Sequence, residues 1–395
     1  MPKEGYNPVK RIVILGSTGS IGRAAAEIVQ QARDDFEVVG LAAGENAGEM
    51  ARQLMAFPRA RFAMKNAAAL SNVTRRDGSL AGRAAGYGRD ALVALVTETS
   101  PDLVVNALVG IAGLVPTITA LENGCPIALA NKESLVTAGA IIAPFIARDR
   151  NLVLPVDSEH FSVSRCLRGY ADEVEEIILT ASGGPFYGRD RAGLADVSVE
   201  EVLDHPTWIM GNKVTVDSAH LLNKGLEVIE AHWLFDFPLE KIRVLIHPQS
   251  IVHSIVRLRD GSMLSHLAPA DMRLPVMGAL YHPRMCDFPW KSLKLGELGT
   301  LEFVPLERKE FPAFDLAIGA AEAGGTVPAV LNAADEVAVG AFLSGEIRFL
   351  DIVDMIENAL AAHHGGPVRT LDDVLEADRW TREFLKQRYP GVAEQ

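Results

Sequence analysis

Arg11-Ile12-Val13-Ile14-Leu15-Gly16-Ser17-Thr18-Gly19-Ser20-Ile21-Gly22 decides the fold. Arg11 to Leu15 is a strand-like apolar run, and Arg23 to about Ala32 reads as a helix. Between them the glycines fall in a GxxGxxG spacing rather than the GxGxxG commonest in NAD enzymes. Glycines let backbone approach a ligand closely, and the helix N-terminus offers free N–H groups, so this unit suits a pyrophosphate. Any tight strand-to-helix turn can use glycine, so the strand–turn–helix context is what carries the nucleotide reading. A second strand, Glu37 to Ala43, ends in Gly44-Glu45-Asn46, where an adenosine ribose would be read.

Outward from this unit, helical and strand-like runs alternate to about residue 150. Ala91 to Thr97 reads as a helix, Leu103 to Leu108 as a buried strand and Pro116 to Asn123 as a helix stopped by Gly124. Ile127 to Ala130 is another strand, ending in Asn131-Lys132-Glu133-Ser134. This is the pattern of a doubly wound, Rossmann-like parallel sheet, an α/β class in which ligands bind beyond the carboxyl ends of the strands. A lysine there can polarise a substrate oxygen or be an ordinary surface residue.

The next apolar run, Leu152 to Val156, delivers Asp157 and Glu159 at its end, in the stretch Asp157-Ser158-Glu159-His160. In an extended chain residues two apart point the same way, so both carboxylates are expected to converge. A close pair of like charges shares a proton or holds a cation, and oxygen ligation without nearby Cys favours Mg²⁺ or Mn²⁺. The plain alternative is a solvated strand end. From here the pattern becomes mixed α+β. Val174 to Thr180 reads as a strand leading into Ala181-Ser182-Gly183-Gly184-Pro185-Phe186, a loop able to hold a phosphate. His205-Pro206-Thr207-Trp208-Ile209-Met210-Gly211 has the make-up of a lid, although a lone Trp is more often core.

Lys213 to Asp217 is expected to be a short strand, with Ser218 capping a helix that runs to about Phe235. On that helix Asn223, Lys224 and Glu227 share a face among apolar neighbours, suiting an anion on one side and a cation on the other. A structural Lys224–Glu227 ion pair is the alternative. Ile251 to Leu258 and Ser262 to Leu267 read as a hairpin around Asp260-Gly261. Pro269 to Glu310 looks like a linker, and Pro312 to Tyr389 like a small helical bundle whose last helix opens at Thr370 in capping-box style.

The chain of 395 residues carries a net charge of −13, which argues against nucleic acid or an anionic membrane as a partner. No segment has the ~18 apolar residues of a membrane span. Met1 to Lys10 is short and polar, without a signal-peptide core or a transit segment, and the three cysteines form no metal or disulfide spacing. A reducing cytoplasmic setting is the expectation.

With these motifs assembled, the chain closely resembles the 1-deoxy-D-xylulose 5-phosphate reductoisomerases of the non-mevalonate isoprenoid pathway. The resemblance rests on Gly16 to Gly22, Leu129 to Ser134, Pro155 to His160, Ser182 to Phe186 and His205 through Glu227. It implies rearrangement of the sugar phosphate and reduction to 2-C-methyl-D-erythritol 4-phosphate with NADPH and Mg²⁺ or Mn²⁺, with Co²⁺ a further option. It implies Asp157, Glu159 and Glu227 as metal ligands, which with Lys132 make the catalytic set. Ser182, Ser218, Asn223 and Lys224 match the phosphate site; Ser158 and Lys132 lie near the reacting carbons, and His205, Trp208 and Met210 belong to the lid. The cofactor is placed against Gly16, Thr18, Gly19, Ser20 and Ile21, with Gly44, Glu45 and Asn46 at the ribose. Asn131, Glu133, Gly211 and Met272 complete the cofactor set.

The implied organisation is an NADPH-binding domain over 1–152, a catalytic, metal-binding and dimerisation domain over 153–281, a linker over 282–311 and a helical domain over 312–395. A homodimer through the Ile251 to Leu267 sheet is expected. Four positions depart from the family pattern. His220 stands where Thr is usual, a source of pH sensitivity beside the phosphate site. Phe161 to Cys166 changes the packing beneath the metal. Ala270 replaces a proline. Glu45 is acidic where basic or neutral residues are common. An acid at that place favours NAD over NADP, but screened repulsion of about 1 kcal/mol only narrows the margin for NADPH. Two rivals are a plain NADP-dependent dehydrogenase, which has no use for three convergent carboxylates, and a non-catalytic nucleotide sensor, for which the full ligand set, lysine and lid are superfluous.

Overall fold

A computed structural model describes residues 9–392, so the reading of the N-terminus over residues 1–8 lies outside the described residues. The chain divides into two compact units. The first runs to Asn131 and adds Phe145–Asp157 and Met272–Asp287; the second holds Lys132–Pro144, Ser158–Asp271 and the chain from Phe288 on.

In the first unit strands β1 (Lys10–Leu15), β2 (Phe36–Ala43), β3 (Arg61–Met64), β4 (Ala84–Tyr87), β5 (Leu103–Asn106), β6 (Ile127–Leu129) and β7 (Val153–Pro155) form one sheet in the order β4-β3-β2-β1-β5-β6-β7. Every pairing is parallel. Consecutive residues Ile12 to Leu15 are all fully buried, which requires cover on both faces of β1, as in a doubly wound sheet. Helices α1 (Ser20–Gln31), α2 (Ala47–Ala56), α3 (Ala67–Arg76), α4 (Gly88–Glu98) and α5 (Leu114–Glu122) make the crossovers. Because β1 pairs with both β2 and β5, the turn after it lies at the topological switch point. The glycine spacing has a direct cause there. Gly16 has φ of +80°, and a Cβ on it would lie 2.2 Å from the Ala107 carbonyl oxygen. A Cβ on Gly22 would lie 2.2 Å from the Gly16 oxygen, so only glycine lets α1 start this close to β1.

Helix α6 (Lys132–Arg148) follows β6 and is kinked at Ala138. The second unit then contains α7 (Ser158–Cys166), β8 (Val174–Ala181), α8 (Val199–Leu203), α9 (Asn212–Ala219), α10 (Leu222–Phe235), β9 (Ile242–Ile246), β10 (Val252–Leu258) and β11 (Met263–Leu267). After α11 (Arg273–Leu280), strand β12 (Val304–Pro305) completes a five-stranded sheet, β11-β10-β8-β9-β12. Only β8 and β9 run parallel in it. Ile177, Leu179 and Val256 of the sheet, Val163 of α7 and Val228 and Ala231 of α10 form its core. The expected C-terminal bundle is present as α12 (Pro312–Ala323), α13 (Val327–Leu343), α14 (Asp351–Ala362) and α15 (Leu371–Arg388). Thr370 and Asp373 make the capping box of the last helix. Among the described residues no helix is long and apolar enough to cross a membrane.

Three local expectations are corrected. Residues 213–217 are not a strand but the middle of α9, where Lys213 and Asp217 pair at i, i+4 with 2.7 Å between Nζ and Oδ2. Five residues of apparent alternation cannot be told from little more than one turn of a buried helix. Ser218 consequently caps nothing; its hydroxyl donates to the Val214 carbonyl at 2.7 Å, and α10 instead begins after Leu221 in the left-handed conformation, φ 57°. Asp157 and Glu159 are not neighbours on a strand, because α7 starts at Ser158 and carries Glu159 in its first turn. Residues 269–310 are not all linker, since α11 packs in the first unit, with Lys10 Nζ donating to the Leu280 carbonyl at 2.8 Å.

Candidate active site

The first unit presents the nucleotide-type turn. Gly16 to Gly19 close it, Ser20 and Ile21 open α1, and Gly44-Glu45-Asn46 follow β2. Asn46 accepts the Glu49 backbone N–H at 3.0 Å and so caps α2. Asn131 is fully buried at the end of β6, where its amide donates to the carbonyls of Leu108 (3.0 Å) and Gly110 (2.9 Å). It props the loop after β5 rather than standing open. Met272 precedes α11, and Gly211 precedes α9.

The second unit gathers the charged residues. Lys132 opens α6, and its Nζ donates to Asn223 Oδ1 at 2.8 Å and Glu227 Oε1 at 3.0 Å. Asn223 donates to the same Glu227 oxygen at 2.6 Å, while Lys224 Nζ donates to Glu227 Oε2 and lies 3.3 Å from Glu159 Oε1. The shared helix face read from residues 223, 224 and 227 is therefore real, and the Lys224–Glu227 ion pair exists within it. Ser158 donates to Glu159 Oε2. Asp157 directly precedes α7, and one oxygen each from Asp157, Glu159 and Glu227 lie within 4.8 Å of one another. Glu227 is 2% exposed, and burying a carboxylate this deeply requires compensating positive charge. Here the ammonium between Glu159 and Glu227 supplies it, which marks the place as a cation position. Three hard oxygen donors without sulfur fit Mg²⁺ or Mn²⁺.

Ser182 follows β8 on a loop that glycine brings close to α9. Gly184 has φ of +73°, and a Cβ on it would lie 2.6 Å from the Ser218 carbonyl oxygen. Ser182 Oγ accepts the Gly184 N–H at 3.1 Å and sits 3.0 Å from His205 Nε2. The other ring nitrogen, His205 Nδ1, accepts the N–H groups of Thr207 (3.3 Å) and Trp208 (3.0 Å). Burial lowers the pKa of His205, keeping it neutral. Its proton must then be on Nε2, donating to Ser182 and leaving the serine hydroxyl proton to point at an incoming anion. One histidine thus orders both the loop at Ser182 and the start of the 205–211 segment. In that segment Trp208 is tilted against His253 at 5.8 Å between ring centres, Met210 is half-buried and Ile209 is 96% exposed.

Two groups escaped the sequence reading. His160 is fully buried; its Nε2 meets the Glu227 carbonyl at 2.9 Å, and its Nδ1 lies 3.5 Å from Glu230 Oε2. With Asp157 these residues form a second set of potential ligand atoms, foreshadowed only by Glu230 lying three residues after Glu227. The other group centres on Lys213, paired with Asp217 (2.7 Å), Asp335 and Glu133 (3.8 Å), so Glu133 is buried in this cluster within the second unit. Burial raises all three carboxyls, Asp335 to about 7. It also opposes the Lys213 ammonium, but the three acids together hold its pKa well above the usual value. The Oδ1 atoms of Asp217 and Asp335 are buried without a hydrogen-bond partner among the described residues. His220 lies at this cluster and is lowered by burial to about 4, so it stays neutral and is not the pH-sensitive group expected of it.

Comparison with known proteins completes the picture. Family profiles described as 1-deoxy-D-xylulose 5-phosphate reductoisomerase and its C-terminal domains match residues 12–139, 153–235 and 267–384. The 1-deoxy-D-xylulose 5-phosphate reductoisomerase of Chlorobium chlorochromatii is 45% identical over 97% of this chain and 100% of its own length. The enzyme of that name from Zymomonas mobilis, solved with NADPH, is 36% identical, covers 96% of this chain and 99% of its own, and superposes with a TM-score of 0.86. A DOX-P reductoisomerase solved with NADPH, fosmidomycin and magnesium is 33% identical over 97% of this chain and 98% of its own, with a TM-score of 0.89. On full-length likeness at this level, the chain belongs to the 1-deoxy-D-xylulose 5-phosphate reductoisomerase family.

Proposed function

We propose that this chain rearranges 1-deoxy-D-xylulose 5-phosphate and reduces the product to 2-C-methyl-D-erythritol 4-phosphate, using NADPH and a divalent cation, as a step of non-mevalonate isoprenoid biosynthesis. The observation that carries the reading is the set of three carboxylates, Asp157, Glu159 and Glu227, threaded by Lys132 and Lys224. A simple hydride transfer has no need of it. When bound, the divalent ion stabilises oxyanion charge developing beside the carbonyl, and NADPH supplies the hydride.

The chain's own residues provide the rest. Ser182, Asn223 and Lys224 hold the phosphate, Ser182 through the hydroxyl proton that His205 and Gly184 leave to it, and Ser218 joins them once its hydroxyl turns from the Val214 carbonyl. Lys132 and Ser158 orient the oxygens near the carbons whose bond is broken and remade. The 205–211 segment, with Trp208 and Met210, closes to exclude water. The turn after β1 cradles the cofactor pyrophosphate. Association as a homodimer is part of the proposal: β11 is an edge strand of its sheet with Met263 58% and Leu267 39% exposed, a surface that proteins normally cover. Incubation of the full chain with substrate, NADPH and Mg²⁺ or Mn²⁺, followed by product identification, tests the reading. A reduced but unrearranged sugar phosphate makes it a plain dehydrogenase, and no NADPH oxidation at all removes the activity.

A further inference from the structure

The ribose end of the nucleotide cleft carries the wrong sign for the cofactor proposed above. In sheets of this kind an acid after the second strand accepts the ribose 2′-OH of NAD, whereas an arginine nearby accommodates the 2′-phosphate of NADP. Two residues past the end of β2 stands an acid, Glu45. Its carboxylate, however, is drawn to other partners: it lies 3.8 Å from Lys65 Nζ and 3.4 Å from the Asn66 amide. Beyond it opens a cleft lined by Glu45, Asn46 and Gly48 from the β2–α2 side and by Arg75 and Arg76 from the end of α3. Arg75 is partly engaged, its Nε donating to Ser71 Oγ at 3.0 Å. Arg76 is exposed and makes no hydrogen bond or ion pair among the described residues. Its guanidinium lies 3.9 Å from where a Cβ on Gly48 would stand, and Asn46 Oδ1 lies 3.8 Å from the same point. The Arg76 guanidinium therefore stands within van der Waals reach of the first turn of α2, beside the residues that follow β2.

We propose that Arg76, with Arg75 beside it, reads the 2′-phosphate in this chain and sets its preference for NADPH over NADH in spite of Glu45. The inference rests on the NADPH reading above and names the residue that makes it work. A guanidinium keeps its charge at every relevant pH and matches a phosphate with two parallel N–H donors, which neither Lys65, tied to Glu45, nor any group on the β1 turn offers at this place. The competing account is that two arginines in the last turn of α3 merely complement the helix dipole, which needs no ligand.

Calorimetric titration of the full chain with adenosine 2′,5′-bisphosphate and with 5′-AMP separates the two accounts, because these ligands differ only in the 2′-phosphate. The native chain prefers the bisphosphate. Arg76→Ala weakens the bisphosphate at least about tenfold, equivalent to 1.4 kcal/mol, leaves 5′-AMP within about twofold, and loses less at high salt. Arg75→Ala costs less than Arg76→Ala. Unchanged bisphosphate affinity in Arg76→Ala, or equal losses for both ligands, overturns the assignment while leaving NADPH use by the native chain intact. A native chain that binds neither nucleotide nor NADPH removes the NADPH reading itself, and this inference with it.

Discussion

Replacing Asp335 by asparagine is expected to flatten the pH dependence of stability and to raise stability in alkaline solution. One ammonium, Lys213, faces the carboxyls of Asp217, Asp335 and Glu133, and Asp335 is fully buried. Burial, reinforced by the charge of Asp217, pushes the Asp335 carboxyl from 3.8 up to about 7. The folded chain therefore keeps a proton that the unfolded chain releases. Below pH 3.8 both states hold it and no stability is lost; the loss accumulates as pH rises towards 7 and is complete above that value. At about 1.36 kcal/mol per pH unit, a rise from 3.8 to about 7 caps the loss at ~4 kcal/mol. Asparagine escapes it but gives up a charge-assisted bond to Lys213 worth roughly 1.5–3 kcal/mol. His220, neutral in the folded chain down to about 4 but protonated in the unfolded chain below its ordinary 6.5, adds a slope of opposite sign over that range, which the native chain and the variant share and the difference between them removes. The variant should be the less stable protein near pH 5 and equal or better by about 1–2 kcal/mol near pH 8. Urea midpoints or melting temperatures measured from pH 5 to 9 read the difference directly. A stability difference that stays constant across that range, or favours the native chain more strongly at high pH, refutes the buried-proton account.

Glu227→Gln should lower kcat by orders of magnitude with little change in the KM for NADPH, since its carboxylate joins Asp157 and Glu159 at the cation position; near-normal turnover in a metal-stripped Glu227→Gln variant would sink the assignment. Trp208 packs beside His253 next to the exposed Ile209, so its fluorescence should change, and proteolysis at 205–211 should slow, when a phosphonate hydroxamate analogue binds; unchanged cleavage at saturation means a static segment. Because Lys224 is engaged by Glu159 and Glu227, inorganic phosphate should bind several-fold more tightly with Mg²⁺ than with EDTA, as the ion takes over the carboxylates; equal affinity in a titration with and without Mg²⁺ counts against that competition.

What could be read from the chain before folding was whatever depended on near neighbours. The glycine turn was legible because Gly16 and Gly22 answer to contacts within one strand–turn–helix unit and its adjoining loop. The face of α10 was legible because residues 223, 224 and 227 are set by helical spacing alone. The misread strand at 213–217 failed for the opposite reason. The i, i+4 spacing of Lys213 and Asp217 is a local hint of a helix, but the partner that allows the lysine to be buried, Asp335, is 122 residues away. The same distance problem hid α11, whose last turn is held by Lys10 across 270 residues. Even the Asp157–Glu159 pair converged by a route other than the expected one. The start of a helix, not an extended strand, sets their carboxylates, and an acid in a first helical turn is favoured there in its own right.

Charge explains why the second unit is built as it is. The protein as a whole carries −13, a field that repels a sugar phosphate, so attraction has to be local. Lys132 and Lys224 provide it, but two buried ammonium groups without counter-charges would be more costly than the attraction is worth. Glu159 and Glu227 offset that cost. The arrangement leaves both lysines committed to carboxylates; on the proposed function, a divalent ion competing for the same oxygens would release them to the substrate. Neutral groups do the remaining positioning: His205 with its lowered pKa, Ser182 with its single spare proton, and Asn223, which joins Lys132 to Glu227 without adding charge.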